Sequence, residues 1–194
     1  MLDAIRQPPG LDRYELTEVA QPALFAIQVG ITAVLRRHGI EPAASIGHSV
    51  GEVAAAWACG ALTLEEAVRV IHARSQAQGR TRGSGAMTAV ALSEGDTLGL
   101  LRELGLTGQV ALAGVNSPRG VTVAGPPDAL RLLEDRLEER EVFHRRLPLD
   151  YAFHSPAMDP IEDQIRDDLA DLVPGTGGLF VSTVTGGVLA GSAL

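Results

Sequence analysis

A serine flanked by two glycines, in Gly47-His48-Ser49-Val50-Gly51, sits where an apolar run (Ala43, Ala44, Ile46) gives way to a helix-forming one (Val53 to Cys59). Strand, sharp turn and helix in that order can push a hydroxyl into a cleft, provided its neighbours lack side chains that would clash. The helix that follows aims its free N–H groups and the positive end of its dipole at the same spot. A tetrahedral oxyanion formed on Ser49 would be stabilised there, with the Val50 N–H as the natural donor. That is the chemistry of a serine nucleophile; the bland alternative is a tight turn with an idle hydroxyl.

A serine nucleophile needs a base within hydrogen-bond reach. His48 is adjacent in sequence, but adjacent side chains at such a turn point apart. His38 and His72 fall on expected helices, and His144 in a charged strand. His154 occupies a strand-to-helix junction, Tyr151-Ala152-Phe153-His154-Ser155-Pro156, and is the candidate base. No third member stands out. Asp150 or Asp128 can be forced into the chain order of a hydrolase triad, but nothing around either supports it.

The elements that must position these groups follow from periodicity. Residues 1–20 read as irregular or weakly helical, and Pro22 is expected to start a helix that Gly39 ends. Its buried stripe is expected to be Leu24, Ile27, Gln28, Ile31, Val34 and Leu35. Thr63, with Glu66 three residues on, forms a capping box that opens a second helix, from about Leu64 to Gln78. On it Ala67, Ile71, Arg74 and Gln78 share one face, so Arg74 extends an apolar stripe. An inward guanidinium is costly unless an anion meets it. An internal ion pair and a bound anion are both open readings. After a linker at Arg80–Gly85, strands and helices alternate as βαββαβ over 86–149, the ferredoxin-like plan. A helix from Ser155 to about Leu172 and a strand at Phe180–Val184 return to the main body.

Composition narrows the function classes. Hydrophobic residues make up 45% and charged residues 21%, which fits a globular chain. The net charge of −8 argues against nonspecific nucleic-acid binding. All sixteen basic residues are arginine, which excludes a Schiff-base lysine and a phosphate-loop lysine. Cys59 alone permits neither an internal disulfide nor a cysteine-based metal site. No apolar run reads as a membrane span and no secretory pattern is present, so a cytoplasmic protein with no membrane partner is expected.

Gly47-His48-Ser49-Val50-Gly51-Glu52, with Arg74 at 25 positions beyond Ser49, and Tyr151-Ala152-Phe153-His154-Ser155 resemble the acyltransferase domain of modular polyketide synthases. The malonyl-CoA:acyl carrier protein transacylases belong to the same superfamily. Gln21-Pro22-Ala23-Leu24-Phe25-Ala26 and Ser182-Thr183-Val184-Thr185-Gly186 extend the similarity along the chain. The resemblance implies an α/β-hydrolase-like core with a parallel sheet, from residues 1–85 and 150–194, carrying a ferredoxin-like subdomain at 86–149. It implies Ser49 as nucleophile, His154 as base, Val50 in the oxyanion hole, and Arg74 clamping a malonyl carboxylate. His48, Tyr151 and Phe153 are further substrate-side residues. Malonyl-CoA would be the donor, no cofactor would be permanently bound, and the partners would be a phosphopantetheinylated acyl carrier protein and neighbouring domains of a synthase.

Two departures from the family pattern shape the expectations. The Gly-Gln-Gly strand that completes the oxyanion hole is absent, as is the stretch after Ser182-Thr183-Val184-Thr185-Gly186, so the chain reads as an excerpt of low activity by itself. Tyr151-Ala152-Phe153-His154 mixes the His-Ala-Phe-His of malonyl-selective members with the Tyr-Ala-Ser-His of methylmalonyl-selective ones. Phe153 beside the base favours malonyl, with methylmalonyl as the alternative. The rivals are a serine hydrolase or thioesterase on a related core, and a non-catalytic structural fragment.

Overall fold

A computed structural model describes residues 13–183; residues 1–12 of the stretch read as irregular or weakly helical, Val184 and the Thr185-Gly186 end of the last motif lie outside them. In chain order the elements are α1 (Thr17–Arg37), β1 (Ser45–Gly47), α2 (Gly51–Ala58), α3 (Leu64–Gly79), β2 (Ala86–Val90), α4 (Glu94–Glu103) and β3 (Ala111–Ser117). They continue as β4 (Gly120–Gly125), α5 (Pro127–Glu139), β5 (His144–Arg146), α6 (Glu162–Asp168) and β6 (Phe180–Ser182). The chain forms two compact units, one taking residues up to Arg80 and from Ile161, the other Thr81–Pro160. The fold is mixed α/β, with one parallel and one antiparallel sheet.

In the first unit β1 pairs in parallel with β6, Ile46 opposite Val181. The helices α1, α2 and α3 pack together around Phe25, Val53, Ala54, Ala67, Val70 and Ile71. The start of α3 follows the expected chemistry: Thr63 Oγ1 accepts from the Glu66 N–H at 3.2 Å while the Glu66 carboxylate accepts from the Thr63 N–H at 2.7 Å. The end of α1 is a Schellman turn. The Gly39 N–H donates to Arg36 and the Ile40 N–H to Leu35, and Gly39 takes the left-handed φ of 74° that the turn demands.

Three expectations for this unit are overturned. The helix α1 starts at Thr17, not Pro22, which lies inside it and only deprives the Glu18 carbonyl of its intrahelical donor. The buried side of α1 is Thr17, Gln21 and Phe25, whereas Leu24, Ile27, Ile31 and Val34 of the expected stripe are 48%, 55%, 56% and 55% exposed. The buried side carries the polar Thr17 and Gln21 beside Phe25, so apolar periodicity alone does not identify which side packs. Buried hydrogen bonds from Gln21 decide it. The helix is also long and apolar enough, by length and composition, to cross a membrane, contrary to the reading that no run qualifies. Its Phe25 lies in the first unit's core and its Gln21 bonds Gln78 of α3, as a helix packed on a globular body would.

The second unit is a four-stranded sheet in the order β3-β4-β2-β5, every neighbour antiparallel. Its core gathers Val90, Leu100, Leu101, Val121, Val123, Leu130, Leu133 and Leu137. Under α5 the buried Thr88 hydroxyl, at 2.5 Å, and a bidentate Arg146, through Nε and Nη2 at 2.8 Å each, converge on the Glu134 carboxylate. Other charges of α5 form surface pairs, Arg131 with Asp128 and Arg136 with Glu139. The helix expected from Ser155 to Leu172 is shorter and split. A 3₁₀ turn over Pro156–Ile161 contains Pro160, which cannot donate to an α-helical ladder, and α6 ends at Asp168.

Candidate active site

Ser49 lies between β1 and α2 with φ of 51°, a left-handed conformation that a residue with a Cβ adopts only under constraint. The turn is fixed by two backbone bonds, the Gly51 N–H donating to His48 and the Glu52 N–H to Ser49, each at 3.0 Å. They occupy the first N–H groups of α2 and leave the Val50 N–H without a backbone acceptor among the described residues at the helix start. A Cβ on Gly47 would stand 2.4 Å from the Glu52 Cα, so strand and helix can approach this closely only over glycine. Gly51 is different. A Cβ there would meet nothing nearer than Gln28 Nε2 at 3.6 Å, so crowding explains the first glycine of the motif and not the second.

The inward side of α3 brings Arg74 to the same place. Ala67, Ile71, Arg74 and Gln78 are all buried, as their spacing implies. Arg74 Nη2 donates to Ser49 Oγ at 3.1 Å, and its Nη1 donates to Gln21 Oε1. Among the ion pairs of the described residues none involves Arg74, so the internal salt bridge that was one open reading is absent. Burial pushes its pKa down to about 10, against a weaker upward pull from the Glu52 carboxylate. The side chain therefore stays charged at neutral pH. Glu52, itself buried, accepts from the Ser182 hydroxyl on β6.

Two residues of this cluster, Gln21 and Glu52, were assigned no role from sequence. Gln21 Nε2 donates to Gln78 Oε1 at 2.6 Å and to Thr17 Oγ1, which ties α1 to α3 directly beside Arg74. A signal was there, since Thr17 and Gln21 are polar and four apart before an apolar run. Starting the helix at Pro22 hid it. Val50 caps α2, while its side chain and His48 line a cavity of about 510 Å³ that also touches Leu35, Ile40 and Ile46. Neither Ser49 nor Arg74 lines that cavity. The structure thus groups Ser49 with Arg74 and turns His48 elsewhere.

The second unit holds Tyr151, Phe153 and His154. His154 has φ of 57°, making it, like Ser49, one of the few non-glycine residues with positive φ among those described. The loop around it is pinned by Ser155, whose hydroxyl donates to the Ala152 carbonyl at 2.5 Å and accepts from the Ala157 N–H at 3.3 Å. Tyr151 is fully buried and stacks on Phe153, ring centroids 4.9 Å apart. Phe153 also packs on the cluster of Met87, Ala124 and Ala152. Among the described residues no three His, Cys, Asp or Glu side chains are grouped as metal ligands would be.

The acyl transferase domain family model matches residues 1–185. Polyketide synthase GfsE of Streptomyces halstedii is 42% identical over 186 residues, covering 95% of this chain and 5% of that protein. Among solved structures, the acyltransferase domain from module 8 of the salinomycin polyketide synthase superposes with a TM-score of 0.87 at 38% identity, covering 96% of this chain and 44% of that one. The malonyl CoA-acyl carrier protein transacylase of Coxiella burnetii gives a TM-score of 0.84 at 27% identity, covering 95% of this chain and 61% of that one. The chain thus spans a small part of the synthase it matches and less than two thirds of either solved relative. It belongs to the acyl transferase domain family.

Proposed function

We propose that the chain loads a malonyl-type extender unit from coenzyme A onto Ser49 and passes it to the phosphopantetheine thiol of an acyl carrier protein. The observation that carries this reading is Arg74, a buried, charged guanidinium with neutral hydrogen-bond partners, one donor set 3.1 Å from the Ser49 hydroxyl. Such a group beside a nucleophile suits an acyl donor whose far end is a carboxylate, which it can hold bidentately. His154 takes the Ser49 proton as Oγ attacks the thioester carbonyl. The oxyanion is met by the Val50 N–H at the start of α2. The carbon–sulfur bond then breaks, and the coenzyme A thiolate leaves with the proton from His154. In the second half the carrier thiol gives its proton to His154 and its sulfur attacks the Ser49 ester carbonyl; the ester carbon–oxygen bond breaks and His154 returns the proton to Oγ.

We read Phe153, held by its stack on Tyr151, as the residue that crowds a methyl at the α-carbon and so favours malonyl over methylmalonyl. The same reading makes the first unit an α/β-hydrolase-like core and the second a ferredoxin-like insert, for which the β3-β4-β2-β5 order speaks. No permanently bound cofactor is needed. Donor and carrier place the reaction in the cytoplasm, beside the other domains of a synthase.

The test is intact-mass measurement of the chain after exposure to malonyl-, methylmalonyl- and acetyl-CoA. The expected result is a malonyl adduct on Ser49, absent in Ser49→Ala and strongly slowed in His154→Ala. An adduct mapping to another residue overturns the assignment, and release to water rather than to a carrier thiol would make the chain a hydrolase.

A further inference from the structure

The amide of Gln21 is fixed at both ends. Its Nε2 donates to Gln78 Oε1 at 2.6 Å and to Thr17 Oγ1, so its Oε1 is the end that faces Arg74 Nη1. Turning the amide over would set an NH₂ against a guanidinium, donor against donor, and would break both bonds to its neighbours. Thr17, Gln21, Arg74 and Gln78 are all buried, at 5%, 6%, 7% and 4% exposure, so none of these groups has bulk water as a substitute partner. The choice of a neutral acceptor matters. A carboxylate in place of the Gln21 amide would satisfy the same N–H and also cancel the charge of Arg74. An amide satisfies the donor and leaves the charge standing. The Glu52 carboxylate attracts Arg74 from further off, but its hydrogen bond goes to Ser182.

We propose that Gln21 is a positioning residue which, oriented by Gln78 and Thr17, aims the Arg74 guanidinium at Ser49 while leaving it un-neutralised. The acyl donor's carboxylate is then the hydrogen-bonded counter-ion that Arg74 lacks among the described residues, and selection of an acidic over a neutral acyl group depends in part on an uncharged side chain. The inference rests on Arg74 meeting a carboxylate, the reading proposed above, and adds the reason it is free to do so.

The test compares loading of Ser49 from malonyl-CoA and acetyl-CoA in the wild type, Arg74→Ala, Gln21→Glu, Gln78→Leu and Gln78→Glu, each verified as folded by circular dichroism. Gln21→Glu is isosteric and supplies an internal counter-ion. It should raise KM for malonyl-CoA by about 30-fold or more, the scale of a lost desolvated charge contact, and leave acetyl loading within about threefold. Gln78→Leu removes the acceptor that orients Gln21 and should shift the malonyl-to-acetyl ratio in the same direction. Gln78→Glu keeps that acceptor and should therefore lose less of the ratio than Gln78→Leu, a distinction that a merely structural role would not produce. If Arg74→Ala collapses the ratio while Gln21→Glu leaves it unchanged, the positioning role is wrong and the carboxylate reading stands. If Arg74→Ala leaves the ratio unchanged, the carboxylate reading fails and takes this inference with it. Should Gln21→Glu not fold, the Gln78 pair decides: equal losses in both variants overturn the proposal.

Discussion

Gly47 and Gly51 look equivalent in the motif, yet they sit in different surroundings. A Cβ on Gly47 would overlap the Glu52 backbone, the Cα at 2.4 Å and the N at 2.7 Å, and backbone cannot step aside as a flexible side chain can. Gly51 is the first residue of α2 and has open space around it apart from the Gln28 amide. Gly47→Ala should therefore lower stability by about 1–3 kcal/mol or more and displace the turn that holds Ser49. Gly51→Ala should be neutral or stabilise by up to about 1 kcal/mol through helix propensity. Urea unfolding of the two variants beside the wild type checks this, and equal destabilisation would show that the second glycine is also sterically required. The strain itself was only half legible in the sequence. Glycines around a serine announce a sharp turn, but the left-handed φ of Ser49 and of His154 belongs to residues whose type gives no hint of it.

At the scale of elements, the second unit is cross-tied by one charged cluster. Arg146 of β5 and Thr88 of β2 both donate to Glu134 of α5, with the Arg146 and Glu134 side chains 31% and 16% exposed. Burial raises the pKa of Glu134, but the hydrogen bonds from Arg146 and Thr88 outweigh it and hold the carboxyl below its ordinary value of 4.5. The sign follows by linkage: a carboxyl with a depressed folded pKa contributes stability that is complete above the unfolded value and is lost as pH falls through the folded one. Acid titration of the wild type should show that loss starting near pH 4.5, and Arg146→Gln should flatten it and destabilise at pH 7. An unchanged acid limb in Arg146→Gln would mean that the pair contributes nothing. This tie was not legible in advance. Glu134 and Arg146 lie on separate elements, α5 and β5, and no spacing rule links them. By contrast, α3 was read correctly to its inward arginine, because a capping box and a single apolar stripe leave only one way to orient it.

At the scale of the molecule, apolar surface is distributed unevenly. The stripe Leu24, Ile27, Gln28, Ile31, Val34 and Leu35 reads as core from its periodicity, since a periodic apolar face normally is. In the structure that face of α1 is about half exposed, and Ile46 of β1 is 68% exposed. The β1–β6 sheet has two strands among the described residues, and it lies in the same unit as this apolar surface. The packed side of α1 was set by Gln21 and Phe25, whose partners on α2 and α3 no local pattern reveals. A contiguous exposed apolar face of this kind drives self-association. Ile27 and Ile31 are 55% and 56% exposed, so replacing both by glutamate removes little buried area and places good helix formers on the outer side of α1. The double variant should keep its helical circular dichroism and its melting temperature within a few degrees, while light scattering shows less association at equal concentration than the wild type. If instead Ile27→Glu/Ile31→Glu melts far earlier or loses helix, the α1 face is covered in solution, and the stripe is core after all, as its periodicity first suggested.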